Sequence, residues 1–259
     1  LYQGKSYLEN VADGGEGTTN AVVSAVGGEK ISVNVHGPLW EERTGTYGRL
    51  DDARVVMEMA EASGLPLVSQ EKRDPRVTTS YGTGEMIRDA LDRGFTDISI
   101  AIGGSATNDG GMGCMSALGV RFLDENGDVL RGCGADLLRV RKIDLSGMDS
   151  RVKTCKFTVM CDVTNPLCGE NGATLTFGKQ KGGTPEILAE LEEGMCNYRD
   201  LLFETFGIDM DETPGAGAAG GLGAALMAFL GGTLKSGIET VLELAVSYTH
   251  LTLPTTSRV

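Results

Sequence analysis

Asp97-Ile98-Ser99-Ile100-Ala101-Ile102-Gly103-Gly104-Ser105-Ala106-Thr107-Asn108-Asp109-Gly110-Gly111-Met112-Gly113 carries the strongest structural signal in the chain. Its apolar first part, 97–102, predicts a buried strand. A glycine turn follows, and residues 114–118 predict a helix. Strand, glycine turn and helix form the context in which backbone N–H groups converge on an anion at a helix start. Glycine lets the backbone approach a ligand closely and adopt positive φ. Ser105, Thr107 and Asn108 add neutral donors, and Asp109 is the one charge in the loop. A carboxylate there repels phosphate unless a metal or a substrate hydroxyl lies between them. The loop lacks the GK[ST] lysine of a Walker motif and is not a clean dinucleotide fingerprint. Taken alone, the pattern also fits a tight glycine turn with a capped helix.

Other glycine-rich loops point the same way. The chain has 259 residues, 38 of them glycine, well above the usual ~7%. They cluster at 13–18, 103–113, 161–173, 177–183 and 214–223, which suggests several loops feeding one site. At 13–18, Asp13 and Glu16 stand three apart before a helix that Thr18 or Thr19 would cap. They would face a metal or a hydroxyl, or form a solvated acidic turn. Residues 157–161 predict a second buried strand, which ends at Asp162. Open α/β sheets place functional groups at that end of a strand; an Asx turn or helix cap is the alternative. Pro166 stiffens the following turn, just after Asn165. Lys179 and Lys181 make the 177–183 loop basic in an acidic protein, either over phosphates or as solvated lysines. Gly215 and Gly217 begin a Gly/Ala run whose N–H groups would be open to an anion or simply close-packed.

Around these loops, 29–36 and 44–50 predict an antiparallel ribbon. A helix with a Met86 core face follows. Asn126-Gly127 predicts a hairpin between 120–123 and 129–130. Thr184-Pro185 opens a long helix to about residue 206, and 238–244 predicts a last amphipathic helix. Residues 247–259 show no clear element.

Composition excludes some functions. A net charge of -13 argues against nucleic-acid and anionic-membrane partners. The six cysteines form no CxxC pair or zinc module, and read as reduced thiols of a cytoplasmic protein. Two histidines leave little for Ser-His or Cys-His chemistry.

DGGEGT at 13–18, IGGSATNDGG at 102–111, CDVTNPLCGENGA at 161–173, FGKQKGG at 177–183 and PGAGAAGGLGAALMAFLGG at 214–232 occur in this order. Together the sequence resembles the bacterial glycerate kinase family, of two-domain α/β type without a Walker loop, from about residue 11 to 246. The resemblance implies phosphorylation of D-glycerate by ATP with Mg²⁺, 2-phosphoglycerate being the favoured product. It also implies a flavodoxin- or Rossmann-like domain split around an inserted mixed α/β domain. On this scheme 1–37 is a remnant of the split domain, most of which is missing. Residues 38–246 are the inserted domain and 247–259 a non-native-looking tail. The chain thus reads as truncated at both ends. An assembly of identical chains, the phosphorylated hydroxyl and the pathway stay open.

Phosphoryl transfer needs positioning, charge neutralisation and a group near the attacking hydroxyl. Asp109 and Asp162 are the expected catalytic carboxylates. Asp13 and Asp162 are the expected metal ligands. Gly103, Gly104, Ser105, Thr107, Asn108, Asp13, Glu16, Asn165, Gly215, Gly217 and Lys179 are the expected binding residues, with Arg76 and Lys181 weaker anion contacts. The competing readings are a non-catalytic phosphometabolite-binding module and an inactive fragment.

Overall fold

The computed structural model describes residues 17–251, with side chains to residue 244. Helix α1 (Thr18–Val26) leads through Gly27, at φ 70, into β1 (Glu29–His36). Next come β2 (Glu42–Arg49), β3 (Arg54–Glu58) and the short α2 (Ala60–Ser63). α3 (Tyr81–Asp92), β4 (Asp97–Ala101), α4 (Met112–Ala117) and β5 (Arg121–Leu123) follow. β6 (Lys142–Asp144), β7 (Lys156–Met160) and α5 (Ala173–Phe177) precede the long α6 (Pro185–Phe206). The last elements are α7 (Leu222–Leu230), β8 (Thr233–Lys235) and α8 (Gly237–Leu251).

Six strands form one mixed sheet in the order β1-β2-β3-β4-β7-β8. β1, β2 and β3 pair antiparallel; β3, β4, β7 and β8 pair parallel. The parallel strands are apolar on both faces, as expected where helices cover both sides. Val55, Met57, Ile98, Ile100, Phe157 and Val159 point into the larger core, shared with Met86 of α3, Met112 of α4, Tyr198 of α6 and Leu226 of α7. Val56, Ala101 and Met160 point the other way, onto Val22, Val23 and Val26 of α1, with Val241 and Leu244 of α8 against them. Each buried aliphatic side chain of this kind contributes about 1.5–3 kcal/mol. The loops after β3, β4 and β7 therefore emerge side by side at one sheet edge, between two helical layers.

Most expected elements are present; four expectations change. The 37/38 boundary falls in the β1–β2 turn, and the two strands pair from Glu29↔Arg49 to His36↔Glu42, so β1 is built into the same sheet as the residues after it. At Asn126-Gly127 the turn forms, with Gly127 at φ 83, but Leu123↔Val129 is only an isolated bridge. Leu130 N donates to Phe122 O and Asp124 N to Asp128 O across this short turn, while the regular ladder of β5 is made with β6 and the Leu130 side chain covers the core. α1 carries no side-chain cap from Thr18 or Thr19; the carboxylate of Glu58 accepts the N–H groups of Gly17 (2.9 Å) and Thr19 (2.7 Å). Residues 247–251 continue α8. No described helix is long and apolar enough to cross a membrane.

Candidate functional site

The loops after β4 and β7 frame a cavity of about 380 Å³. Its walls are Ile102, Gly103, Gly104 and Ser105 after β4, and Cys161, Asp162 and Val163 after β7. Leu65 closes one side; Gln180, Lys181 and Ala219 close another.

The β4 loop is held open by its neighbours. Gly104 O accepts from Leu65 N and Ala106 N donates to Ser63 O, bridging the loop to the end of α2. Gly104 sits at φ 75, where a side chain is strained although an added methyl would meet only the Ala60 Cβ, at 3.8 Å. No N–H of Gly103, Gly104 or Ser105 donates to another group among the described residues. These unbonded N–H groups lie on the loop, ahead of the α4 start.

The start of α4 is spoken for. Asp109, fully buried, accepts from Gly111 N (3.1 Å), Gly113 N (3.3 Å), Ser80 N (2.7 Å) and Ser80 Oγ (2.7 Å). Ser80 Oγ in turn accepts from Cys114 N. The acceptor at this helix start is the protein's own Asp109 carboxyl. Burial raises its pKa more than its four hydrogen bonds lower it. The expectation that Asp109 faces a substrate is corrected: it is enclosed and organises the loop. Ser80, which completes that arrangement, lies 29 residues upstream and carried no motif to mark it.

Thr107 and Asn108 are also fully buried, behind the pocket wall. Asn108 Nδ2 donates to Thr174 Oγ1 at 3.1 Å, while Thr107 Oγ1 and Asn108 Oδ1 have no partner. Thr107 O accepts from Lys181 Nζ at 2.6 Å. Lys181 is 2% exposed, lines the cavity, and has its ammonium pushed by burial down to about 7. Lys179, the expected ligand, is exposed and outside the lining. The 3-10 turn over Lys179–Lys181 turns the second lysine inward and the first outward. Arg76 is held by both oxygens of Asp74.

Asp162 stands exposed at the cavity rim, past the end of β7. Its Oδ1 accepts from Ser236 Oγ (2.9 Å) and Gly237 N (3.1 Å) at the start of α8. Oδ2 has no described partner.

Gly217 is not an anion ligand, since its N–H is already bonded within the protein. Ala216 N donates to Thr213 O, and Gly217 N to Asn165 O. A methyl on Gly217 would lie 2.1 Å from Pro166 O, and one on Gly220 would lie 2.0 Å from Thr107 O. The small residues here let the 214–221 segment pack backbone to backbone on the two site loops. Asn165, the expected ligand, is absorbed in that packing, its Nδ2 donating to Asn171 O. Ala219 meets the cavity at φ 53, an unfavourable conformation for a residue with a Cβ. Asp13 and Glu16 lie outside the described residues.

The model of the glycerate kinase family matches residues 5–252. Glycerate 2-kinase of Escherichia coli (strain K12) is 51% identical over 232 residues, 89% of this chain and 61% of that protein. Glycerate kinase of Halalkalibacterium halodurans is 48% identical, over 90% of this chain and 62% of its own length. The crystal structure of a Salmonella typhimurium LT2 protein assigned as glycerate kinase 2 superposes with a TM-score of 0.88 at 47% identity, covering 90% of this chain and 63% of that one. The chain spans about three fifths of the length of the curated relatives it matches. The mixed α/β sheet and the ordered glycine loops agree with that match over nearly all the described residues: the chain belongs to the glycerate kinase family.

Proposed function

We propose that the protein phosphorylates D-glycerate with ATP, 2-phosphoglycerate being the favoured product, and that the cavity at the ends of β4 and β7 receives the phosphate. The observation that carries this reading is the meeting of Lys181 with the undonated N–H groups of Gly103–Ser105 in one cavity of a chain whose net charge is -13. In so acidic a molecule an anionic substrate needs local positive potential, and loop N–H groups with one desolvated lysine supply it.

The residues would divide the work as follows. The N–H groups of Gly103, Gly104 and Ser105 bind phosphoryl oxygens. Lys181, fixed by Thr107 O, offers its remaining N–H donors to the charge that develops on them. Asp162, with Oδ1 anchored at α8, turns Oδ2 toward the glycerate hydroxyl and accepts its proton. Asp109 keeps the loop in shape and does not touch substrate.

An exposed carboxylate oxygen beside a phosphate loop suits a hard cation. Asp162 would hold Mg²⁺ through a water, leaving Oδ2 free to take the hydroxyl proton, and Asp13, outside the described residues, is a second proposed ligand. Bound Mg²⁺ supplies charge neutralisation on the phosphates. We place the reaction in the cytoplasm, in keeping with six free thiols. The split-domain scheme stays part of this proposal: the segments that complete the relatives' length would close the cavity from the open side.

ADP release from Mg-ATP, measured with and without D-glycerate, tests this. The assay is run on the chain and on a version carrying its relatives' flanking segments. Glycerate-dependent release in either supports the kinase. Release in neither, with both folded, contradicts it and leaves a phosphometabolite-binding module as the better reading.

A further inference from the structure

Away from this cavity, the fold brings two cysteines and a glutamate together. Cys168 lies buried in the loop after β7, and Cys196 and Glu192 stand one turn apart on α6. An i, i+4 spacing puts the last two on one helix face. Both Sγ atoms and a Glu192 oxygen lie within 4.8 Å of one another, and no other His, Cys, Asp or Glu triad among the described residues converges in this way. Glu192 Oε1 accepts from Gly169 N at 2.6 Å and faces Cys196 Sγ at 3.9 Å; the Thr174 hydroxyl is a further hydrogen-bonding neighbour of the carboxylate, and buried Oε2 meets no donor in good geometry. A buried carboxylate oxygen without a donor is costly; a cation would supply what is missing.

We propose that Cys168, Cys196 and Glu192 form a binding site for a thiophilic d¹⁰ divalent cation of the Zn²⁺ class. Two sulfurs and one carboxylate oxygen are the donors such an ion takes, at about 2.3 Å and about 2.0–2.2 Å. Ligand atoms around it then lie under about 4 Å apart, so the present spacing closes by side-chain adjustment alone. Sulfur donors disfavour Mg²⁺ and Ca²⁺. The neighbouring Asp211 is committed elsewhere: Oδ1 accepts from Cys168 N at 2.9 Å and Oδ2 from Arg199 at 2.7 Å. Water therefore takes the fourth position. Binding replaces the two thiol protons, which leave to solvent. None of the three ligands lines the cavity. The ion ties the Asp162-bearing loop to α6 as a structural clamp.

The test titrates the reduced chain with Cd²⁺, a spectroscopic stand-in for Zn²⁺. A cadmium–thiolate charge-transfer band of two-sulfur intensity should saturate at one ion per chain. Zn²⁺ should erase it, and either ion should raise the melting temperature. Cys196→Ser and Glu192→Gln should each weaken binding at least ~10-fold, whereas Cys155→Ser, a half-buried thiol elsewhere, should leave it unchanged. No band in the folded wild-type chain at micromolar Cd²⁺ would overturn the proposal, as would equal loss in Cys155→Ser. Cation-free oxidation by peroxide to a Cys168–Cys196 disulfide, with no ion uptake by the reduced chain, would also overturn it, in favour of a redox pair.

Discussion

Lys181 is held 2% exposed by a single described hydrogen bond, to Thr107 O. A buried ammonium so thinly compensated costs the fold stability, which is the mark of a group kept for what it binds. Lys181→Met should therefore leave stability unchanged or raise it by about 1–2 kcal/mol in urea unfolding. The pH dependence has a definite sign. Burial lowers the ammonium from its ordinary 10.5 to about 7, so between those values the unfolded chain binds more protons. This group makes stability rise with pH from about 7 toward 10.5 and adds no slope below 7. Phosphate wants the charged form, so the affinity advantage of wild type over Lys181→Met should shrink as pH rises through about 7. Asp109 gives the opposite outcome: Asp109→Asn turns an amide NH₂ toward backbone donors in a sealed site and should cost about 2–4 kcal/mol, read as a lower urea midpoint. Asp162→Asn keeps the Oδ1 that anchors α8 and should change stability by less than ~1 kcal/mol while lowering turnover ~10²-fold or more; turnover within a few-fold of wild type would remove Asp162 from the mechanism. The sequence marked the loops that hold these residues but not their directions. Lys179 and Lys181 share one short turn, and only packing against Thr107 decides which of them faces inward.

Among elements, the strands and long helices were legible because their signals are local. β4 and β7 are apolar runs, Thr184-Pro185 opens α6 with the Thr184 side chain accepting from Ile187 N, and Gly207 ends it at φ 71. What failed depended on partners distant in sequence. The cap of α1 is Glu58, about forty residues on, at the end of the strand beneath it. Glu58→Gln turns an amide NH₂ toward one of the two N–H donors and should cost about 1–2 kcal/mol, seen as a lower melting temperature and faster amide exchange in α1. The 120–130 hairpin forms but stays short for a similar reason, since β5 makes its ladder with β6 across an intervening segment. The Gly/Ala run before α7 could be read as open N–H groups or as close packing; the N–H groups of Ala216, Gly217 and Ala218 are bonded locally, and its small residues pack closely on the site loops. Spacing alone does not separate those two uses of glycine; only the atoms an added Cβ would strike do so.

At the scale of the molecule, a mixed sheet between the α1/α8 layer and the larger α3–α7 layer sets the β4 and β7 loops side by side, and that placement makes one site from segments sixty residues apart. The family was legible because several glycine loops recur in order, each with its own steric or ligand-binding reason. The assignment of roles within the loops was not, because burial divides them: Gly103–Ser105 face the cavity, and Thr107–Asp109 stand behind it. In the proposed function, this cavity takes phosphate through Lys181 and the loop N–H groups. Equilibrium binding of ATP to the wild-type chain and to Lys181→Met, with urea stability measured on the same samples, tests it most directly. The prediction is a ~10-fold or greater loss of affinity in a variant at least as stable as wild type. Unchanged affinity in the folded variant would contradict it.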